Sequence, residues 1–139
     1  MTPAELAHIH ALSFETPRPW DENEFASLLK SRGVFLVEDE VSFVLGRVIA
    51  DEAELLTLAV HPNRRSAGLG RARLLEYETQ AKNLGAQKSF LEVAANNSAA
   101  IALYLSAGYL KCGQRRDYYR RLNEDAVDAV IFERELIRT

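Results

Sequence analysis

Between Arg64 and Arg71 the chain reads RRSAGLGR: two arginines, then two glycines one residue apart. An apolar run, LLTLAV, closes at Val60 just before it, and a long amphipathic segment follows. Gly68 and Gly70 therefore stand at the mouth of a helix. A helix N-terminus carries unpaired N–H groups and a partial positive charge, which together hold phosphate. Glycine permits the backbone twist and removes a Cβ from the path of a ligand, and neighbouring arginines add charge-assisted contacts. No Lys-Ser/Thr follows the second glycine, so this is not a mononucleotide loop, and without a third glycine it is not a dinucleotide fingerprint. A pyrophosphate ligand of neither style, such as coenzyme A, fits what is left. A purely structural strand-to-helix turn is the alternative.

Other side chains carry less by themselves. Glu92 interrupts the apolar run SFLEVA. Burial there would move its carboxyl toward the range a general base needs; a place on the solvent face of a strand is the alternative. Tyr104 shares a helix face with Ile101 and Leu105 and reads as core. Asn97 reads as the N-cap of that helix. His61 precedes Pro62 in a turn that faces solvent, and His8 and His10, two apart on a helix, cannot both face one ligand. Cys112 lacks the His/Asn context of a nucleophilic thiol, and no His, Cys and carboxylate cluster has metal-ligand spacing. Arg115, Arg116, Arg120 and Arg121 surround Tyr118 and Tyr119, either as a solvated loop or as a docking surface for an acidic peptide or ribosomal RNA.

The elements that position these residues follow from caps and periodicity. Thr2-Pro3-Ala4-Glu5 is an N-cap, first-turn proline and capping-box glutamate for a helix to about Phe14. Asp21 to Glu24 repeats the capping box, and Gly33 closes that second helix. The runs VFLVE, VSFVLGRVIAD and EAELLTLAV, separated by Asp-Glu turns, predict a three-stranded antiparallel meander. The glycine segment opens a helix over 68–83, closed by Gly85. KSFLEVA is a strand, NSAAIALYLSA a helix ending at Gly108, and YLKCGQRR and VDAVIFEREL a final strand pair joined by the loop DYYRRLNEDA. The order ααβββαβαββ is an α+β fold, one sheet with helices packed on it.

Composition bounds the class. One domain spanning 1–139 is expected from 139 residues that are 47% hydrophobic. A net charge of −3 does not suggest a general nucleic-acid binder, and no direct DNA binding is expected. One cysteine predicts no internal disulfide and suits a reducing cytoplasm. The N-terminal segment lacks a secretory signal, and no stretch approaches the ~18 apolar residues of a membrane span.

RSAGLG, at 65–70, resembles the Gln/Arg-x-x-Gly-x-Gly/Ala signature of the GNAT N-acetyltransferase superfamily. LEVAANNSAAIALYLSAGY, at 91–109, is similar to the second conserved block of the bacterial ribosomal-protein alanine N-acetyltransferases, as are RPWDENEFASLL and RRDYY. The resemblance covers nearly the whole chain. It implies a GNAT (acyl-CoA N-acyltransferase) fold, with a mixed central sheet flanked by helices, and acetyl transfer from acetyl-CoA to an amine without a metal. Glu92 is carried over as general base and Tyr104 as general acid near the coenzyme sulfur. Coenzyme contacts fall on Arg65, Ser66, Ala67, Gly68, Leu69, Gly70, Arg71, Asn97 and Tyr104. Backbone N–H groups of Leu58, Ala59 and Val60 become the donors to the acyl carbonyl, where two strands splay to admit the pantetheine arm. Two departures stand out. Ser66 replaces a second basic residue, leaving Arg64, Arg65 and Arg71 as the cations. The family's first edge strand is also expected to be absent, because the helix cap already lies at Thr2.

The acceptor implied is a protein N-terminus, the N-terminal alanine of a ribosomal protein in particular. A small amine or a lysine side chain is the alternative acceptor. A catalytically silent CoA-binding module is the alternative class, against which the presence of both Glu92 and Tyr104 argues. The acceptor-side walls would come from the first two helices and the loop at 116–126.

Overall fold

Both capping boxes form as their sequences dictate. In the computed structural model, which describes residues 1–14, 18–65, 67–119 and 126–136, Thr2 and Glu5 cap helix α1 (Pro3–Ser13), and Asp21 and Glu24 cap α2 (Glu22–Leu29). Strands β1 (Val34–Glu38), β2 (Ser42–Ile49) and β3 (Glu52–Val60) make the antiparallel meander. After a 3₁₀ turn (Pro62–Arg64) come α3 (Leu69–Asn83), β4 (Lys88–Ala94), α4 (Ser98–Ser106), β5 (Leu110–Tyr119) and β6 (Val127–Glu135). The sheet order is β1-β2-β3-β4-β6-β5. Its one parallel pair is β3 with β4, so the sheet is mixed, and no strand precedes α1 among the described residues. None of the described helices is long and apolar enough to cross a membrane.

Each sheet face carries its own core. On one, α3 and α4 bury Leu74, Tyr77 and Tyr104 against Val44, Leu55, Leu91 and Val93. On the other, α1 and α2 bury Leu6, Ile9 and Phe25 against Phe43, Leu45 and Ala59. β3 contributes to both, and its register slips by one residue. Thr57 pairs with Leu45 and Leu55 with Gly46, leaving Leu56 as an extra residue. The bulge reverses the side-chain alternation: Ala53 and Leu55 face α3, whereas Thr57 and Ala59 face α1.

Two sequence expectations need correction. Gly33 does not close α2, which ends at Leu29 with Lys30 as its C-cap. Gly33 instead makes the approach to β1 with φ +79, where a Cβ would lie 2.3 Å from the Val48 carbonyl oxygen. Asp117, Tyr118 and Tyr119, expected in a loop, extend β5. They do so irregularly, through a register shift between Arg115 and Tyr119 and a left-handed Asp117 (φ +50) whose N–H donates to Asp128 at 2.8 Å.

Candidate active site

The site lies where β3 and β4 part. They pair only at Glu52, Ala53 and Glu54 against Lys88, Ser89 and Phe90; past the bulge they diverge. A cleft of about 890 Å³ fills the gap and runs from the N-terminus of α3 to the end of β5. On its other edge β3 stays paired with β2 through Leu58, Ala59 and Val60. Backbone groups alternate in direction along a strand, so at least one of these three N–H groups points into the gap. The Val60 carbonyl accepts from Ser13 Oγ and Arg65 Nε, both at 3.3 Å.

At the α3 end, Gly68 is the N-cap in the left-handed region (φ +79) and offers no side-chain cap. The first helical bond runs from Ala72 N–H to the Gly68 carbonyl at 3.0 Å. The amides of Leu69, Gly70 and Arg71 therefore open on the cleft without a partner among the described residues, as a phosphate cradle requires. A Cβ on Gly68 would meet no protein atom within 4 Å, so the backbone twist at φ +79, and not packing against the fold, calls for glycine there. Gly70 differs from the expectation of a ligand-facing glycine: its Cβ position lies 3.4 Å from Leu103 Cδ2, against α4. Arg71 reaches across to α4 and donates to Ser106 Oγ at 2.8 Å. Arg64 and Arg65 border the same cleft, Ala67 directly precedes the cap, and Ser66 lies outside the described residues.

Asn97 caps α4 as its sequence suggests, its Oδ1 accepting from Ala100 N–H at 3.2 Å. Tyr104 lines the cleft from α4, in edge contact with Tyr109 at 5.8 Å. Burial pushes its phenol up, so it holds its proton, and no hydrogen bond to another described residue engages it.

Glu92 enters from the opposite sheet face, since its neighbours Leu91 and Val93 belong to the α3/α4 core. It is not buried as its place in an apolar run suggested. A quarter of its side chain is exposed, and Arg115 Nε stands 3.2 Å from its Oε1. Arg115 on β5 reaches Glu92 on β4 across β6, over its own cross-strand partner, the small Ala129. The guanidinium also covers the Tyr118 ring at 4.9 Å. Beside them, burial and the Glu92 charge push the Tyr119 phenol up to about 12.

The cleft wall on the α1 side is aromatic, and its residues carry no motif. His10 is buried between Phe14 (4.4 Å) and Trp20 (5.0 Å), with Phe25 edge-on at 5.4 Å. Its Nδ1 accepts from Trp20 N–H at 3.0 Å, and its Nε2 lies 3.0 Å from Thr57 Oγ1. Burial lowers its pKa to about 4. The only sequence signal was its helical spacing to Leu6, which marks a core position and says nothing of a cleft.

The remaining candidates stay apart from the cleft. His61 caps the 3₁₀ turn, its Nδ1 accepting from Asn63 N–H at 3.2 Å. Cys112 is exposed on β5, and residual burial with Glu133 beside it pushes the thiol up. Arg120 and Arg121 lie outside the described residues. Among those described, no group of three or more His, Cys, Asp or Glu could hold a metal ion.

A mixed sheet splayed between a glycine-capped helix and a carboxylate strand is the architecture of an acetyl-CoA-dependent acyltransferase. The chain belongs to the Acetyltransferase (GNAT) family, whose sequence profile matches residues 4–109, and it is an N-acetyltransferase. It is 38% identical over 115 residues, 78% of each chain, to the ribosomal protein bS18 alanine N-acetyltransferase of Escherichia coli (strain K12). It is 40% identical over 82 residues, 59% of this chain and 50% of the relative, to the N-alpha-acetyltransferase RimI of Mycobacterium tuberculosis (strain H37Rv). The crystal structure of the E. coli ribosomal-protein-S18-alanine N-acetyltransferase superposes with a TM-score of 0.83 at 32% identity, over 96% of this chain and 86% of that one.

Proposed function

We propose that the chain, working as a single domain over 1–139, acetylates the α-amine of a protein N-terminus, an N-terminal alanine of a ribosomal protein in particular. A ribosomal acceptor would place the activity in the cytoplasm. The observation that carries the reading is the β3/β4 splay. It joins, in one cleft, a phosphate cradle and a proton-bearing phenol from one sheet face with a carboxylate from the other. The alanine acceptor is supported by relatives that bear that name.

The residues fit the coenzyme: three unpaired amides at α3, Arg64 and Arg65 beside them, and an open strand edge leading inward. Acetyl-CoA, when bound, supplies the acetyl group as a thioester. Leu69, Gly70 and Arg71 hold phosphate through their N–H groups, and Arg65 adds charge. N–H groups among Leu58, Ala59 and Val60 donate to the acyl oxygen, where preorganised donors stabilise developing charge. An α-amine, with an ordinary pKa of ~7.7–8.0, is mostly protonated at neutral pH and must lose a proton before it attacks. Glu92 takes that proton, directly or through a water, and Arg115 holds the carboxylate in place. Tyr104 Oη holds a proton for the departing sulfur.

The test is mass spectrometry of the protein with acetyl-CoA and peptides that begin with alanine, serine or methionine or carry only an internal lysine. Acetylation of the α-amine of the alanine peptide is expected. Glu92→Gln, which keeps shape but takes no proton, should lower kcat by ~10²–10⁴-fold. Exclusive acetylation of the lysine peptide would overturn the acceptor assignment. Acetyl-CoA binding without transfer to any amine would favour a silent coenzyme-binding module.

A further inference from the structure

The hydrogen bonds around His10 fix which atoms carry protons. Trp20 N–H is a backbone group and can only donate, so Nδ1 of His10 must be its bare acceptor. A neutral imidazole then carries its one proton on Nε2, and that proton goes to Thr57 Oγ1 at 3.0 Å. Thr57 is the acceptor in this pair. Its own hydroxyl proton is left over, and it makes no hydrogen bond to another described residue. Thr57 is only 6% exposed, yet it borders the cleft. An unspent donor in so dry a place costs free energy until a ligand oxygen takes it up.

The sheet geometry says which ligand. Thr57 pairs with Leu45 and shares its face, the one that carries α1 and α2. Glu92 points to that same face from β4, across the splay. The coenzyme cradle and Tyr104 lie on the other. The two cleft carboxylates are already engaged, Glu54 with Arg47 at 2.7 Å and Glu92 with Arg115. We propose that the Thr57 hydroxyl donates to the carbonyl oxygen of the acceptor's first residue, and that His10 is the positioning residue that keeps this donor turned toward the cleft. In an α-amino acceptor the carbonyl carbon is two bonds from the nucleophilic nitrogen. With the amine at Glu92 and the carbonyl at Thr57, the acceptor is held at two points across the gap. A lysine side chain has no carbonyl at that spacing, so the donor selects N-termini over lysines. The inference rests on the reading of the acceptor as a protein N-terminus.

Steady-state kinetics with an alanine-starting peptide provide the test. Thr57→Val should raise the acceptor KM about tenfold, the worth of one hydrogen bond, with kcat and the KM for acetyl-CoA within about twofold. Thr57→Ser should restore it. His10→Gln, which can accept from Trp20 and donate to Thr57, should leave the acceptor KM near wild type, whereas His10→Leu should raise it like Thr57→Val. A second measurement needs no variant: a peptide whose first carbonyl is reduced to methylene should serve the wild-type protein about tenfold less well. Equal use of the two peptides, an unchanged acceptor KM in Thr57→Val, or parallel losses for acetyl-CoA and acceptor that serine does not rescue would each overturn the inference. If no peptide N-terminus is acetylated at all, the acceptor reading itself falls. Normal peptide acetylation with an indifferent Thr57→Val removes the inference alone.

Discussion

Acid should unfold this protein through one imidazole. His10 is buried between two rings with Nδ1 bonded to Trp20 N–H, and burial lowers its pKa from 6.5 to about 4, the Glu24 charge opposing only weakly. Above 6.5 both folded and unfolded chains hold a neutral ring, and the stability it contributes is complete. As the pH falls below 6.5 the unfolded chain takes up a proton that the folded chain cannot accept without breaking the Trp20 bond. Stability is therefore lost across the window between about 6.5 and about 4, and no more is lost from this group below it. At 1.36 kcal/mol per pH unit, descending from pH ~7 to pH ~4.5 should cost about 2 kcal/mol. The assay is urea unfolding of wild type and His10→Gln across that range. The glutamine does not titrate, and every other group is common to both chains. The wild-type curve should fall more steeply, with the difference between the two proteins closing or reversing by about 2 kcal/mol toward acid. Parallel curves would refute the reasoning, because they would mean that the ring is protonated as easily inside the fold as outside it.

Three more outcomes follow from particular contacts. Gly68→Val should weaken acetyl-CoA binding at least tenfold in calorimetric titration, with the far-ultraviolet spectrum unchanged, because a β-branched residue resists φ +79 and would turn the α3 amides away; Gly70→Ala, with ordinary contact room beside Leu103, should do far less. Gly46→Ala should lower stability by about 1–3 kcal/mol in thermal or denaturant unfolding, since the new Cβ would lie 2.7 Å from Tyr77 and 2.8 Å from Phe35, whose stacked rings cannot simply swing aside. Arg134→Met should cost about 3–5 kcal/mol by the same measurement, because it strands the buried Glu78 carboxylate, now held at 2.8 Å, and Glu78→Gln in that background should recover much of the loss.

What could be read from the sequence was what local chemistry decides. Thr2 with Glu5 and Asp21 with Glu24 specify helix starts because both partners lie within one turn. The left-handed glycines at 68, 85 and 108 were equally legible, since each sits where a helix begins or ends. The motif residues Glu92 and Tyr104 were found through family resemblance, and the structure places both at one cleft. Their surroundings were not legible. Arg115 lies 23 positions from Glu92 and reaches it only because β6 intervenes with the small Ala129 between them. The tail of β5 read as a loop because DYY carries no apolar alternation; the Asp117 N–H, donating to the Asp128 carboxylate, holds it in the sheet. His10 looked like an ordinary helix residue, and its partners Trp20 and Thr57 come from two other segments. Nothing in EAELLTLAV marks Leu56 as supernumerary, because the apolar residues run on without a break and the slip exists only relative to β2.

That extra residue makes β3 a message whose meaning depends on odd and even. Counting back from Val60, every second residue belongs to one face until Leu56, where the count skips and the assignment inverts. Removing Leu56 would change neither the composition of the strand in any telling way nor its appetite for the sheet. It would bring Leu55 directly beside Thr57, still opposite Gly46 and Leu45, so every remaining residue would keep its face and only the irregularity before the gap would go. A relative that lacks this residue would keep both cores and lose the irregularity beside the gap. Across this strand, then, one residue of length alters the course of the backbone beside the cleft without altering which side chain packs where, a change that a comparison of residue types position by position does not record.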